Sequence, residues 1–561
     1  MNRETESHFS NEPSIHIQRS KLRRPHTHKT TFNAGDIVPI YVDADILPGD
    51  TVSIDMGSVI RMATPLYPVM DNAFMDVYFF FVPHRLVWEH WREFWGQNDN
   101  TAWEQKVQYE IPQIEAPSGG WAAGTIADYM GIPTYISNIS VNHLPFRAYS
   151  LIMNDWFRDE NLRDGTFFNR DETTLTGVNT GNYVTDIQLG GLPYKAAKLH
   201  DYFTSALPSP QKGPQVDIST FTMPVPVIPG EYHLDPTAKY EDNLIFAKRS
   251  GQYFVEDKLP NGEGHYLYTG GHGTGDSDTG STLNRGTSTV SGGSTELVPG
   301  NLWAGSQAIN ISIENIRSAL AIQSFYEAQA RYGSRYTEFI RGIFGVTSPD
   351  ARQQRPEYMG GFRVPINVTQ VLQTSSTDNT SPQGHTAAFS YTPDSHSVFT
   401  NSFTEHGTLM GLAVIRTDKT YQQGIERMWS RKKWTDFYIP QFANLGEQAI
   451  LNKEIYAQGS TTDDEAFGYQ EAWADYRYKP NRVSGAMRSN YPSGSLDSWH
   501  YADNYASLPI LGEDWIEEDS TNVARTLAVQ NEPEFIADFY FDSVYVRPMP
   551  VYSIPGIGLH Y

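Results

Sequence analysis

Cysteine is absent from the 561 residues. Neither disulfides nor thiolate metal sites can form, so a disulfide-stapled secreted scaffold is excluded and folding in a reducing cytoplasm is the simple expectation. The segment Met1–Ser20 is polar and has no apolar core of a secretory signal. No run reaches the roughly 18 apolar residues that a membrane-spanning helix needs, so no membrane insertion is expected. The chain also lacks a GxSxG elbow, a P-loop, an HExxH pair and a dinucleotide fingerprint after a strand. No repeat of solenoid or propeller period is visible. These absences remove the common sequence-legible enzyme classes and leave a binding or structural protein.

Charged residues make up only 19% of the chain, against 39% hydrophobic and 13% aromatic. That is enough apolar material for a sizeable core, and global disorder is excluded. With 45 glycines and 34 prolines, the composition suits short strands joined by long, turn-rich loops. A formal charge of −23 argues against a generic nucleic-acid-binding surface. The distribution is polarised, however. RSKLRRPHTHK (19–29) holds five Lys/Arg, two His and no acid. Residues 1–29 carry six Lys/Arg and three acids, a net of +3, so the remainder carries −26 of the total −23. Such a segment fits either contact with a polyanion or a solvated tail.

Strand formers cluster in IVPIYVDADI (37–46), followed by the turn LPGD (47–50). FMDVYFFFV (74–82) is apolar on both parities, as in a strand covered on both faces. LVWEHWREFWG (86–96) spaces Trp88, Trp91 and Trp95 by three and four, predicting a short amphipathic helix ended by Gly96. A second helix is predicted within 144–162, and a third from a cap at Ser312 to about Tyr332, with Gly333 at its end. Strand signals return at 361–368, 409–417 and 535–549. Strands scattered from end to end point to one β-domain with long insertions. Between about 217 and 300 the composition shifts to Gly, Ser and Thr, which predicts a surface excursion.

Several features invite a chemical reading. The adjacent acids Asp463, Asp464 and Glu465 offer oxygens to a hard structural cation, but three neighbours in sequence point in different directions. His26 and His28 lack further ligands nearby. The tryptophan face could stack bases, although helical spacing is more often packing. No cofactor, metal site or catalytic constellation is assigned.

The residues then carry a family resemblance. HKTTFNAGDIVPIYVDADILPGDT (28–51), RMATPLYPVMDNAFMDVYFFFVPHRLVWEHWREFWG (61–96), LPFRAYSLIMNDWFRDENL (144–162), HDYFTSALPSPQKGP (200–214), FGVTSPDARQQRPEYMGG (344–361), TYQQGIERMWSRKKWTDFYIPQFANLGEQAILNKEIY (420–456), FGYQEAWADYRYKPNRVSGAMRS (467–489) and the closing RPMPVYSIPGIGLHY are similar to the major capsid proteins of gokushoviruses, tailless icosahedral microviruses of bacteria. The blocks run in order along nearly the whole chain; only about 217–300 is uncovered.

The resemblance implies an eight-stranded antiparallel jelly roll of the viral capsid type, with long inter-strand insertions containing short helices. It implies a basic N-terminal arm (1–31) and a single capsid domain (32–561) with 217–300 as an exposed protrusion. It further implies a structural, non-enzymatic role in the virion: about sixty copies in a T=1 shell around circular single-stranded DNA, assembled in the host bacterial cytoplasm. Implied partners are a small basic DNA-binding protein, a minor pilot protein and a host-surface receptor. Arg19, Lys21, Arg23, Arg24 and Lys29 are expected to reach phosphate on the inner surface, with subunit contact as the alternative. Trp88, Trp91, Trp95, Trp429 and Trp434 are expected at subunit interfaces, with intramolecular core as the alternative. A carbohydrate-binding or hydrolytic jelly roll and a non-capsid spike are the rival classes.

Overall fold

The computed structural model describes residues 18–97, 107–214, 313–375, 383–384 and 386–552, with three short strand pairs between 227 and 304. Two four-stranded sheets hold eight strands: β1 (Ser20–Phe32), β2 (Val38–Ile46), β3 (Thr51–Met62), β4 (Ala73–Pro83), β5 (Glu357–Pro365), β6 (Thr392–Ser402), β7 (Gly407–Thr417) and β8 (Phe535–Arg547). Their orders are β1-β8-β3-β6 and β5-β4-β7-β2, and every pairing is antiparallel. The pairing is nested: β1 with β8, β2 with β7, β3 with β6, β4 with β5. A long hairpin wound over itself into two facing sheets is a jelly roll, the all-β class that the sequence leads one to expect.

Alternation explains which face goes in. In β8, Phe535, Ala537, Phe539, Phe541 and Tyr545 are buried, while Ile536 and Tyr540 between them are exposed. In β3, Val52, Ile54, Met56 and Ile60 point to the same core. β4 and β7 are buried on both faces, as the doubly apolar FMDVYFFFV predicts. Met75, Val77, Phe79 and Phe81 join the core between the sheets; Phe80 and Val82 join a second core on the far side. At roughly 1.5–3 kcal/mol per fully buried large side chain, these paired faces dominate the stabilisation of the sandwich.

That second core is built by residues 84–213, the first part of the insertion between β4 and β5. Helix α1 (Leu144–Ile152), with Pro145 in its first turn, contributes Leu144, Phe146, Tyr149 and Ile152. It continues as one π-turn, Met153–Phe157. The predicted tryptophan helix is instead two four-residue helices, His84–Val87 and Trp91–Phe94, with Trp88 extended after the first. Breaking the helix there lets Trp88 and Trp91 both enter the core, at 0% and 9% exposure. The third predicted helix is α2 (Ile313–Tyr332), followed by Gly333 at φ +91, a conformation that only glycine adopts without strain. Its proposed cap, Ser312, lies outside the described residues. A further helix, α3 (Tyr336–Phe344), follows. The insertion between β7 and β8 forms a third cluster, including Tyr421, Ile450, Phe467 and Trp515 together with Tyr202 and Phe203.

The chain divides into two units, Met1–Gly213 with Phe325–Tyr561, and Pro214–Ser324. Within the second, Val227–Pro229 pairs with Leu302–Ala304, Phe246–Lys248 with Leu297–Pro299, and Leu267–Thr269 with Leu283–Arg285. The nesting means that the segment runs out and returns along itself. Most of 217–300 otherwise lies outside the described residues.

One expectation needs correction. From Ser20 onward the basic segment is no free arm but β1, paired with β8 over its full length, Ser20 with Arg547 through Phe32 with Phe535. Pro25 and the cations disguise it. An edge strand tolerates proline, because one of its two hydrogen-bonding sides needs no partner.

Candidate assembly and nucleic-acid surfaces

The basic residues of β1 separate onto two faces. Residues directly opposite in an antiparallel ladder share a face. Lys21, Arg23 and Lys29 stand opposite Val546, Val544 and Asp538, on the side away from the core. Arg23 forms a two-pronged pair with Asp542, Nε–Oδ1 2.7 Å and Nη2–Oδ2 2.5 Å. Hydrogen bonding to that guanidinium holds the Asp542 carboxyl below its ordinary range. Lys29 Nζ lies 3.4 Å from Asp538 Oδ1. Arg19 is exposed beside Gly49.

Arg24 differs. It donates to Asp43 Oδ2 at 2.7 Å and lies over the Tyr545 ring at 4.8 Å. The same Asp43 oxygen accepts from Tyr545 Oη at 2.7 Å. Arg24 is thus tied to the sandwich through Asp43 while its side chain stays about half-exposed. His28 Nδ1 is 3.0 Å from the Ile40 carbonyl oxygen, and the His26 ring packs on Phe541, so these side chains too are engaged within the fold.

The five tryptophans also divide. Trp88 and Trp91 belong to the second core and cannot face a neighbour, which corrects their assignment to an interface. Trp95 is 59% exposed and stacks on His406 at 4.7 Å; Trp429 and Trp434 are 73% and 69% exposed. Phe437, Tyr438 and Leu445 extend this second patch, and Arg431 lies over the Tyr476 ring at 4.3 Å. Tyr336, Phe344 and Val346, on and after α3, form another exposed apolar group. Sequence reasoning missed it, because helical periodicity reports amphipathicity and not what covers the apolar side.

Among the described residues, the perturbed groups His143 and Arg147 form no reactive centre. His143 is pushed down to about 4 by burial, with Arg147 adding to the effect. It lies between two hydrogen-bonding partners: Arg147 Nε donates to its Nδ1 at 3.1 Å, and its Nε2 is 3.0 Å from the Gln188 carbonyl oxygen. Arg147 also donates to the Val87 and Asp171 carbonyls at 3.2 and 2.7 Å. The pair ties α1 to its surroundings and faces no solvent. A cleft of about 470 Å³ is lined by Arg85, Glu89, Arg92, Glu93 and Arg170, but Arg85 is paired with Glu405 at 2.6 Å.

A buried ionic network joins the two large insertions. Lys419 Nζ lies 2.9 Å from Glu518, whose Oε1 also accepts from Thr417 Oγ1 at 2.6 Å. Asp503 accepts from Asn522 at 2.5 Å and Tyr505 at 2.9 Å, with Lys198 Nζ at 3.9 Å. Burial opposes ionisation of Asp503, but Lys198 and Lys419 outweigh it and hold the carboxyl below its usual range. Among the described residues, no group of three His, Asp or Glu is placed to hold a metal ion. No helix among them is long and apolar enough to cross a membrane.

The chain belongs to the capsid protein (F protein) family, whose model matches residues 10–557. It is 44% identical over 558 residues to capsid protein VP1 of Spiroplasma virus 4, covering 98% of this chain and 97% of that one. It is 40% identical over 586 residues to capsid protein VP1 of Chlamydia phage 1, covering 98% and 97%. The corresponding protein of Bdellovibrio phage phiMH2K is 40% identical over 566 residues, covering 99% and 98%. The protein is thus a structural phage capsid subunit of the virion, not an enzyme, and it acts in many copies.

Proposed function

We propose that this chain is the major subunit of a T=1 icosahedral shell of about sixty copies, enclosing a circular single-stranded DNA genome. Assembly takes place in the host bacterial cytoplasm, with a small basic DNA-binding protein and a minor pilot protein as virion partners. Residues 217–300 form a protrusion that contacts a host-surface receptor, since an excursion of small polar residues costs the fold little when it varies. Arg19, Lys21, Arg23 and Lys29 face the interior and neutralise phosphate without reading sequence.

The observation that carries the shell reading is the exposure of Trp429, Trp434, Phe437, Tyr438 and Phe344 on a unit whose own cores are closed. Apolar aromatic surface of this kind is covered by protein in obligate assemblies. Electron cryomicroscopy of the chain expressed with single-stranded DNA and the small basic partner tests it. Closed icosahedral particles are expected, and neutralising the four outward cations lowers the DNA they hold. A chain that stays monomeric under all these conditions refutes the proposal.

A further inference from the structure

The buried network between the two large insertions gathers an amine and a carboxamide around one carboxylate. Lys198, Asp503 and Asn522 are 4%, 3% and 5% exposed. Asp503 bridges the other two. Its Oδ1 accepts from Asn522 Nδ2 at 2.5 Å, and its Oδ2 lies 3.9 Å from Lys198 Nζ. The backbone holds all three in place. The Lys198 amide donates to the Ile516 carbonyl at 2.8 Å and the Asp503 amide to the Thr420 carbonyl at 2.9 Å. Asn522 sits in the short helix Thr521–Ala524. Tyr505 Oη donates to Asp503 Oδ2 at 2.9 Å, which fixes the carboxylate between its two neighbours.

Lys198 is unlike the neighbouring Lys419. Lys419 Nζ has Glu518 at 2.9 Å as a hydrogen-bonded charge partner. Lys198 Nζ is too far from Asp503 for a hydrogen bond and lies over the Trp515 ring at 4.8 Å. Burial pushes the Lys198 pKa down; Asp503 opposes the shift and Lys419 adds to it. A lysine desolvated beside a second cation gives up its proton readily and becomes a nucleophilic amine.

We propose that Lys198 and Asn522 become joined by an isopeptide bond, stitching the insertion after β4 to the insertion before β8. The neutral Nζ amine attacks Asn522 Cγ. Asp503 takes a proton from Nζ and returns one to Nδ2. The Nζ–Cγ bond forms, the Cγ–Nδ2 bond breaks, and Nδ2 leaves as ammonia. The step is an amide exchange, so it needs no oxidant, reductant or co-reactant. It happens once per chain and leaves the protein a structural one. With no cysteine in the sequence, a side-chain amide is a covalent staple still open to this fold. The inference is independent of shell geometry and of DNA.

The test weighs the purified full-length chain, denatured, by intact mass spectrometry. The parent is expected to fall about 17 Da below its sequence mass, the loss of one ammonia. Proteolysis should then release one branched peptide in which Lys198 is joined to Asn522. Lys198→Arg and Asn522→Ala remove a reacting group, and Asp503→Ala removes the proton carrier; each is expected at its full sequence mass. A parent at full mass, with Lys198 and Asn522 recovered in separate linear peptides, overturns the proposal and leaves a noncovalent ion pair. That reading needs no variant, so a substitution that prevents folding cannot obscure it. The same deficit persisting in Lys198→Arg also overturns the proposal, because the ammonia would then have left from another site.

Discussion

Single residues in this subunit do their work mostly as buried polar staples. Lys419 and Glu518 are 6% and 2% exposed, and each is the other's charge partner. Removing one charge leaves the other stranded, so Glu518→Gln should cost about 3–5 kcal/mol in chemical denaturation. Arg23→Ala, which breaks an exposed pair, should cost under about 1 kcal/mol. Glu534 has the opposite character. It is 4% exposed, and its Oε2 accepts from the Ala34 amide at 2.8 Å. Burial pushes its carboxyl up to about 7, opposed by that hydrogen bond and by Lys195 and assisted by Asp36 and Asp519. A raised carboxyl pKa means that the folded state prefers the protonated form. Its contribution is complete below the ordinary value of 4.5 and is lost as pH rises through about 7. Wild-type subunits should therefore lose stability between about pH 4.5 and 7, and Glu534→Gln should flatten that profile in thermal melts. An unchanged slope in the variant would show that Glu534 is not the titrating group.

At the scale of elements, legibility followed the strength of the local pattern. β4 was readable because a strand buried on both faces is apolar at both parities. α2 and its stop at Gly333 were readable because a long helix repeats its signal. β6 was not: TPDSHSVFTNS is polar along most of its length and is a strand because β3 pairs with it. β1 was mistaken for an arm for the same reason, its alternation blurred by Pro25 and four Lys/Arg. The tryptophans show the limit most clearly. Trp88 and Trp429 occupy similarly aromatic sequence, yet one is enclosed and the other 73% exposed. Trp88→Ala should cost about 3–5 kcal/mol of subunit stability. Trp429→Ala and Trp434→Ala should leave isolated subunits within about 0.5 kcal/mol of wild type while lowering the yield of closed particles in assembly assays. Equal effects of the three substitutions on subunit melting would remove the distinction. Arg61 and Asp538, which line one cleft with Lys29, escaped sequence reading, although the alternation in FIADFYFDSVYVR already places Asp538 and Tyr540 on one face.

At the scale of the molecule, the nested pairing separates what holds the fold from what it displays. Pairs β1/β8 through β4/β5 close the sandwich within one chain, so the insertions are free to build outward. Residues 217–300 fall in a unit whose strand pairs close on themselves. Shortening the tip between Thr269 and Leu283 should leave particle assembly intact and abolish adsorption to host cells; normal adsorption would refute the receptor role. Sequence alone determined the β class, the cysteine-free chemistry, the doubly covered strand and the capsid-family resemblance. Each of these rests on composition, local periodicity or long ordered blocks, which survive without coordinates. Only the tertiary structure decided that the basic segment is an edge strand, that Arg24 bonds Asp43, that Trp88 and Trp91 face inward, and that Lys29, Arg61 and Asp538 meet in one cleft. Those outcomes depend on register between strands more than 500 residues apart, such as Phe32 with Phe535. A register shift of one residue reverses the face of every side chain, and no local pattern carries that information.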